Sequence, residues 1–373
     1  MLSLDDLYRG FREPEVIRAM AGEIRALAPR LPEPLRVMEV CGGHTHTIMK
    51  FGLTQLLPPE VEFIHGPGCP VCVMPKERID QAIALAEQPG VILTTLGDMI
   101  RVPGSRGSLA QCRARGADVS PLYDPLDALA IARDNPQRTV IFFAIGFETT
   151  TPMSAALLAE AERLGIDNLL LHINHVLVPP AIEAVMAEPA CRVNAFIGPS
   201  HVSVITGAEI YRPIVQRYRL PLVVSGFEPV DVMEALLMLV RQRVAGRCDL
   251  EVQYRRAVTA EGNRLARELV ARYFELREHF RWRGLGDIPA SALRLRDEFA
   301  HRDAERRFAL DQSPIEDHKA CQCADILRGL AKPSDCRVFG RGCDPSRPMG
   351  SCMVSSEGAC NAYYRYRGLN EDH

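Results

Sequence analysis

From Leu35 to about Glu234 the chain alternates short apolar runs with amphipathic stretches. The apolar runs are Leu35–Val40, Val61–Ile64, Val91–Leu96, Val140–Ile145, Leu169–Ile173, Ala195–Ile197 and Leu220–Val224. Short continuous runs of this kind suit strands buried on both faces. Between most of them lie segments such as Lys76–Glu87, Leu126–Asp134 and Met153–Arg163, with apolar residues at three- and four-residue spacing. That is the period of a helix packed on one side. Strands alternating with such helices predict an α/β fold, parallel sheets with helices on both faces. Seven strands over this span suit two small Rossmann-like sheets better than one large sheet. After about Arg241 the pattern changes. Glu251 to Glu278 reads as a long charged helix, and Trp282 to Asp311 is Arg-rich with little periodicity. From Cys321 onward Gly, Pro, Ser and Cys dominate. A segment so poor in aliphatic residues needs a staple, and a metal centre is the obvious one. The expected division is an N-terminal helical segment at 1–34, α/β domains at 35–138 and 139–240, and a smaller helical and irregular domain at 241–373.

The ends of the apolar runs carry a second pattern. They lead into Cys-Gly-Gly-His (41–44), His-Gly-Pro-Gly-Cys (65–69), Gly-Asp (97–98), Gly-Phe-Glu (146–148), Asn-His (174–175), Gly-Pro-Ser-His (198–201) and a second Gly-Phe-Glu (226–228). Open α/β sheets bind their ligands where parallel strands finish, so these clusters are the candidate site. The repeated Gly-Phe-Glu, each copy between a strand and a helix, hints at a duplicated unit.

Composition narrows the function classes. A chain of 373 residues, 47% hydrophobic and 24% charged, is an ordinary globular protein with a sizeable core. Its net charge of −3, from 44 basic and 47 acidic residues, makes no electrostatic case for nucleic acid or an anionic membrane. The start, Met1-Leu2-Ser3-Leu4-Asp5-Asp6, is acidic and has no apolar core of a secretory signal. The longest apolar run, Val140 to Ile145, is too short to span a bilayer. The expected location is therefore cytoplasmic, and twelve cysteines there need a reason other than a disulfide framework. Cys112, Cys191 and Cys248 are isolated and read as small core or surface hydrophobes. The other nine fall into three groups.

Cys336, Cys343 and Cys360, preceded by Cys321 and Cys323, supply more thiols than one metal ion needs. Zinc ribbons use paired Cys-x2-Cys knuckles, which this segment lacks, so dispersed thiolates point to a [4Fe–4S] cluster ahead of zinc. Either Cys321 or Cys323 is the fourth ligand, with Cys352 a spare. Cys69-Pro70-Val71-Cys72 follows a strand and reads as a redox dithiol, the other reading being half of a zinc site. Cys41-Gly42-Gly43-His44-Thr45-His46 places a thiolate and two imidazoles within six residues. A soft metal such as low-spin iron takes such a thiolate, with His44 giving a hydrogen bond or proton; the bland reading is a helix cap. Gly146-Phe147-Glu148-Thr149-Thr150-Thr151-Pro152 joins a carboxylate to three hydroxyls before a helix. It reads as a capped helix start or as an anion or nucleotide site, although Glu148 opposes an anion and no P-loop lysine follows.

Taken together, CGGHTH at 41–46, GPGCPVC at 66–72, GFETTTP at 146–152, GPSHVSVITG at 198–207, GFEP at 226–229 and MVSSEGAC at 353–360 resemble the motifs of the HypD family. They stand in the family's order and cover about residues 36 to 364. The resemblance implies two α/β domains of similar topology and a third, iron–sulfur domain. It implies a scaffold, with a redox role, for assembly of the iron–cyanide–carbonyl group of [NiFe]-hydrogenases. The implied partners are HypC, which would share the iron held at Cys41 beside His44, and HypE, the source of cyanide. Cys69 and Cys72 would be the redox dithiol. Cys323, preferred over Cys321, would bind the cluster with Cys336, Cys343 and Cys360. Glu148 and Thr149 enter the candidate site through their motif. Electrons would pass from cluster to dithiol to iron. The competing reading is a cluster-dependent thiol–disulfide oxidoreductase acting on a soluble substrate, for which Cys41 would be dispensable.

Overall fold

Eleven strands appear among residues 10–370, the part of the chain that the computed structural model describes. The acidic start at Met1–Asp6 and the first nine residues of the expected helical segment lie outside the described residues. The strands are β1 (Leu35–Glu39), β2 (Val61–His65), β3 (Val91–Leu96), β4 (Val119–Leu122), β5 (Thr139–Gly146), β6 (Leu169–His175), β7 (Ala195–Pro199), β8 (Leu222–Ser225), β9 (Leu250–Val252), β10 (Phe274–Trp282) and β11 (Gly286–Leu295). Each expected apolar run contributes one of them. The first sheet has the order β2-β1-β7-β8-β9 and the second β4-β3-β5-β6, and every pairing within them is parallel. Counted along the chain within its own sheet, each reads second, first, third, fourth, and the first sheet adds a fifth strand at its edge. The two α/β units therefore share a topology, as the duplicated motif hinted.

The strands sort differently from the expected division at 138/139. That boundary falls between β3 and β5, which hydrogen bond to each other from Val91↔Thr139 to Thr95↔Phe143. The second sheet is inserted whole between β2 and β7 of the first. Burial explains why the apolar runs were legible. In β5, Val140, Phe142 and Ala144 pack into one core, while Ile141, Phe143 and Ile145 pack into another on the opposite face. A strand covered on both faces therefore reads as a near-continuous apolar run. Strand β4 was not foreseen because Val119-Ser120-Pro121-Leu122 is short and holds a proline, which an edge strand tolerates.

The expected long helix over Glu251–Glu278 is corrected by the structure. Its start is β9, only Arg264–Tyr273 is helical, and Phe274–Trp282 is β10. Asn263 caps the helix by accepting from the Ala266 N–H at 3.0 Å. Beyond Tyr273, Phe274, Phe280 and Trp282 are buried at even spacing, the period of a strand. Antiparallel pairing of β10 with β11 forms a hairpin in the stretch expected to lack periodicity. Trp282 is held in it by an indole N–H bond to Ser291 Oγ at 2.8 Å. Ser291 O accepts from the Leu177 N–H at 2.9 Å, which docks the hairpin beyond the end of β6.

Candidate functional site

A strand order of second, first, third, fourth sends the chain to opposite faces after the first and third strands, and a crevice opens beyond their carboxyl ends. In the first sheet those strands are β1 and β7. Cys41 stands two residues past β1, with φ −154° and ψ 128°, at the start of the helix Gly42–Lys50. Its Sγ lies 3.8 Å from Nε2 and 3.9 Å from Nδ1 of His201, two residues past β7. The turn at Cys41 is held from below by Glu39, which is wholly buried. Glu39 accepts from the Cys41 N–H at 3.0 Å and from Thr45 Oγ1, and lies 2.7 Å from His65 Nδ1. Burial pushes the Cys41 thiol well above its ordinary range, and the carboxylates of Glu357 and Glu39 push the same way. The thiol therefore stays neutral until an electrophile such as a metal ion displaces its proton.

Two glycines make the crevice narrow. A Cβ on Gly42 would stand 2.4 Å from Glu357 O, and one on Gly68 would stand 2.1 Å from Cys41 N. The Gly42 N–H donates to Gly68 O at 3.0 Å, so the turn at Cys41 and the Cys69–Cys72 loop are one hydrogen-bonded unit. Cys69 and Cys72 are both buried and joined in a disulfide, with Cα atoms 5.2 Å apart. Ser351 Oγ donates to Cys72 O at 2.8 Å and ties this loop to the C-terminal segment.

That segment forms a pocket lined by all six of its cysteines, Cys321, Cys323, Cys336, Cys343, Cys352 and Cys360, among Ile326, Val338, Phe339 and Met353. Five of the six are buried and Cys321 is half-buried. Cys323 and Cys352 approach to 2.8 Å between sulfurs. Cys343 Sγ accepts from the Met349 N–H at 3.3 Å. Among the described residues no group of three or more His, Cys, Asp or Glu is gathered as around a single metal ion. The donor set is thiol only, with apolar walls, and thiolates are the ligands that iron–sulfur clusters take. The residues present fit such a group. Cys112 is buried in a separate core, and Cys191 and Cys248 are half-buried outside the pocket.

Two expected site residues sit elsewhere than anticipated. His44 is wholly buried, with Nε2 2.9 Å from Gly226 O and its ring 4.6 Å from that of Phe227. Burial lowers its pKa to about 4, so it is neutral and donates from Nε2 to that carbonyl. Its imidazole braces the helix against the end of β8, and the contact to Cys41 Sγ belongs to His201. Phe227, from the second Gly-Phe-Glu, stands between the two rings, 4.9 Å from that of His201. Glu148 accepts from the Val178 N–H at 2.9 Å through Oε1, at the start of the helix Val178–Met186. Thr150 and Thr151 hydroxyls donate to Phe147 O at 3.2 and 3.1 Å, and Thr149 is half-buried. In the first Gly-Phe-Glu, Glu148 thus spends one oxygen on a neighbouring helix start, and the threonine hydroxyls that follow bond back to the Phe147 carbonyl. Residues to which sequence reasoning gave no particular role are His201, Glu39, His65 and Glu357. The strand-end clusters at 65–69 and 198–201 contained two of them, but not which strands lie side by side.

The fold and this geometry define a thiol-centred α/β protein with three cysteine sites in contact. A family model described as "HypD: Hydrogenase formation hypA family" matches residues 15–367. The chain is 54% identical over 362 residues to the hydrogenase maturation factor HypD of Azotobacter vinelandii, covering 95% of each. It is 50% identical over 363 residues to that of Cupriavidus necator, covering 95% of this chain and 96% of the relative. It is 45% identical over 361 residues to that of Escherichia coli (strain K12), covering 96% and 97%. The chain belongs to the HypD family. Its role accordingly lies in hydrogenase maturation. No helix among the described residues is long and apolar enough to cross a membrane.

Proposed function

We propose that this chain is the scaffold on which the Fe(CN)2CO group of [NiFe]-hydrogenases is assembled in the cytoplasm, with iron carried at Cys41 as cargo. The supporting observation is the contact of three thiol sites: Gly42 to Gly68 joins Cys41 to the disulfide loop, and Ser351 to Cys72 joins that loop to the cysteine pocket. A thiolate suits the low-spin iron that cyanide, a strong-field ligand, favours. One protein thiol leaves most of the iron's positions open, so a partner thiol from HypC and cyanide from HypE complete the reading. His201, kept neutral by burial with a pKa of about 4, offers an N–H toward a ligand on that iron. Glu39 and Thr45 fix the turn that aims the Cys41 sulfur.

In the C-terminal pocket Cys336, Cys343 and Cys360 bind the [4Fe–4S] cluster. The fourth ligand is Cys323, with Cys321 the alternative, since both line the same pocket. When bound, the cluster supplies electrons one at a time. The Cys69–Cys72 disulfide would open to a dithiol on taking two electrons and two protons, and would close on passing them to a ligand being reduced on the iron carried at Cys41.

The test is to express the chain with HypC and HypE, purify without oxygen, and measure iron, sulfide and the infrared spectrum. About four sulfides per chain, with cyanide and carbonyl bands, are expected for the unaltered chain. Cys41→Ala should lose the bands and keep the chromophore, and Cys69→Ala should keep the chromophore yet fail to mature hydrogenase. Bands that survive Cys41→Ala would overturn the scaffold in favour of a thiol–disulfide oxidoreductase, which needs Cys69 and Cys72 alone.

A further inference from the structure

The turn of the β10–β11 hairpin places a charged residue between the disulfide loop and the segment that forms the thiol pocket. Arg283 follows Trp282, and its side chain is only 2% exposed. Its backbone N–H donates to Val73 O at 2.8 Å, one residue past Cys72. The next residue, Gly284, has φ +80°, and a Cβ there would stand 2.9 Å from Ala324 Cα, beside Cys323. Arg283 therefore occupies the junction between the disulfide loop and the helix that starts at Cys323. Its Nε donates to Asp317 Oδ2 at 3.0 Å and its Nη2 lies 2.5 Å from Asp317 Oδ1, while Nη1 has no hydrogen-bond partner. Asp317 also faces Lys76 at 3.6 Å, so two cations share one carboxylate. A buried guanidinium with an incomplete set of partners is costly unless further negative charge stands near it. Burial works against the Arg283 charge, and Asp317 more than restores it.

We infer that Arg283 is the electrostatic positioning residue of the thiol pocket, its fixed cation favouring the reduced, more negative state of the centre bound there. The inference rests on the reading of that pocket as a cluster site. A cluster held by four thiolates takes one electron from a one-electron donor such as dithionite and gains one negative charge, with no bond formed or broken. A cation in a low-dielectric surround lowers the energy of the more negative state and so raises the potential.

The experiment is a redox titration of the full chain, purified without oxygen and followed by its visible and paramagnetic spectra, after iron and sulfide analysis. Arg283→Gln removes the charge, Arg283→Lys keeps it, and Asp317→Asn frees it from its counter-charge. At a fixed potential the reduced-to-oxidised ratio should fall about tenfold in Arg283→Gln, which is about 59 mV for one electron. It should rise in Asp317→Asn and stay near the unaltered value in Arg283→Lys. A pair that only fastens the hairpin predicts shifts of one sign, or none, for Arg283→Gln and Asp317→Asn, since both break the same contact; that result overturns the inference. Should Arg283→Gln fail to fold, an unshifted potential in Asp317→Asn overturns it equally. An unaltered chain without iron and sulfide would remove the cluster reading, and this inference with it.

Discussion

The second residue beyond the third strand is His201 in the first sheet and Glu148 in the second. The two positions are equivalent in topology, and their side chains do different work. His201 turns its ring toward Cys41 Sγ, whereas Glu148 spends one oxygen on the Val178 N–H of a neighbouring helix. What encloses the two crevices differs as well. Glu357 from the C-terminal segment and Gly68 from the disulfide loop press on the turn at Cys41, while the β10–β11 hairpin docks beyond the second sheet at Leu177. A shared strand order supplies a crevice, and the side chains and segments that close it decide whether it carries chemistry or only ends a helix.

The largest expected effect that sharpens this contrast comes from paired glycine substitutions. Gly68→Ala forces a Cβ to 2.1 Å from the Cys41 backbone, whereas a Cβ on Gly97, beyond β3 of the second sheet, meets nothing within 4 Å. Denaturant unfolding should show Gly68→Ala losing at least about 3 kcal/mol and Gly97→Ala well under 1 kcal/mol. Equal losses would mean that the two crevices are packed alike.

Next in size is the pH dependence of Glu148. Burial raises its pKa to about 7, and the Val178 N–H only partly opposes that. A folded-state carboxyl raised above its unfolded value favours the protonated form. Its stabilising contribution is full below about pH 4.5 and is lost as pH rises through about 7. Glu148→Gln should remove this slope, so that the variant gains on the unaltered chain by up to about 3 kcal/mol between pH 5 and pH 8. Parallel unfolding midpoints at the two pH values would show that Glu148 is ionised in the folded chain and acts in the crevice as a charge.

The smallest effect separates the two histidines near Cys41. His201→Ala should lower hydrogenase maturation about tenfold with little change in melting temperature, since its ring meets the thiol at 3.8 Å. His44→Ala should instead lower the melting temperature, because it vacates a wholly buried site that holds a bond to Gly226 O. The reverse pattern would return His44 to the role that its motif suggested.

Much of this molecule was legible in the chain itself. The seven apolar runs became strands because a strand covered on both faces is apolar along most of its length, and that constraint is local. The three cysteine groups were legible because thiols crowded into loop-rich sequence have few uses besides metals and redox. Phe274 was misread within a charged stretch because helical composition masked its strand spacing with Phe280 and Trp282, and only pairing with β11 settles it. Which strands neighbour one another was beyond reach of any local pattern. Cys41 and His201 are 160 residues apart, and they meet because β7 adds to β1 after the whole second sheet has been inserted between them. The same holds for Cys323 with Cys352 and for Arg283 behind them. Residue types and strand ends determined what chemistry this chain can carry. The tertiary structure decided which side chains share a site, because sheet order and the closing of segments over it depend on long-range packing rather than on the neighbours in sequence.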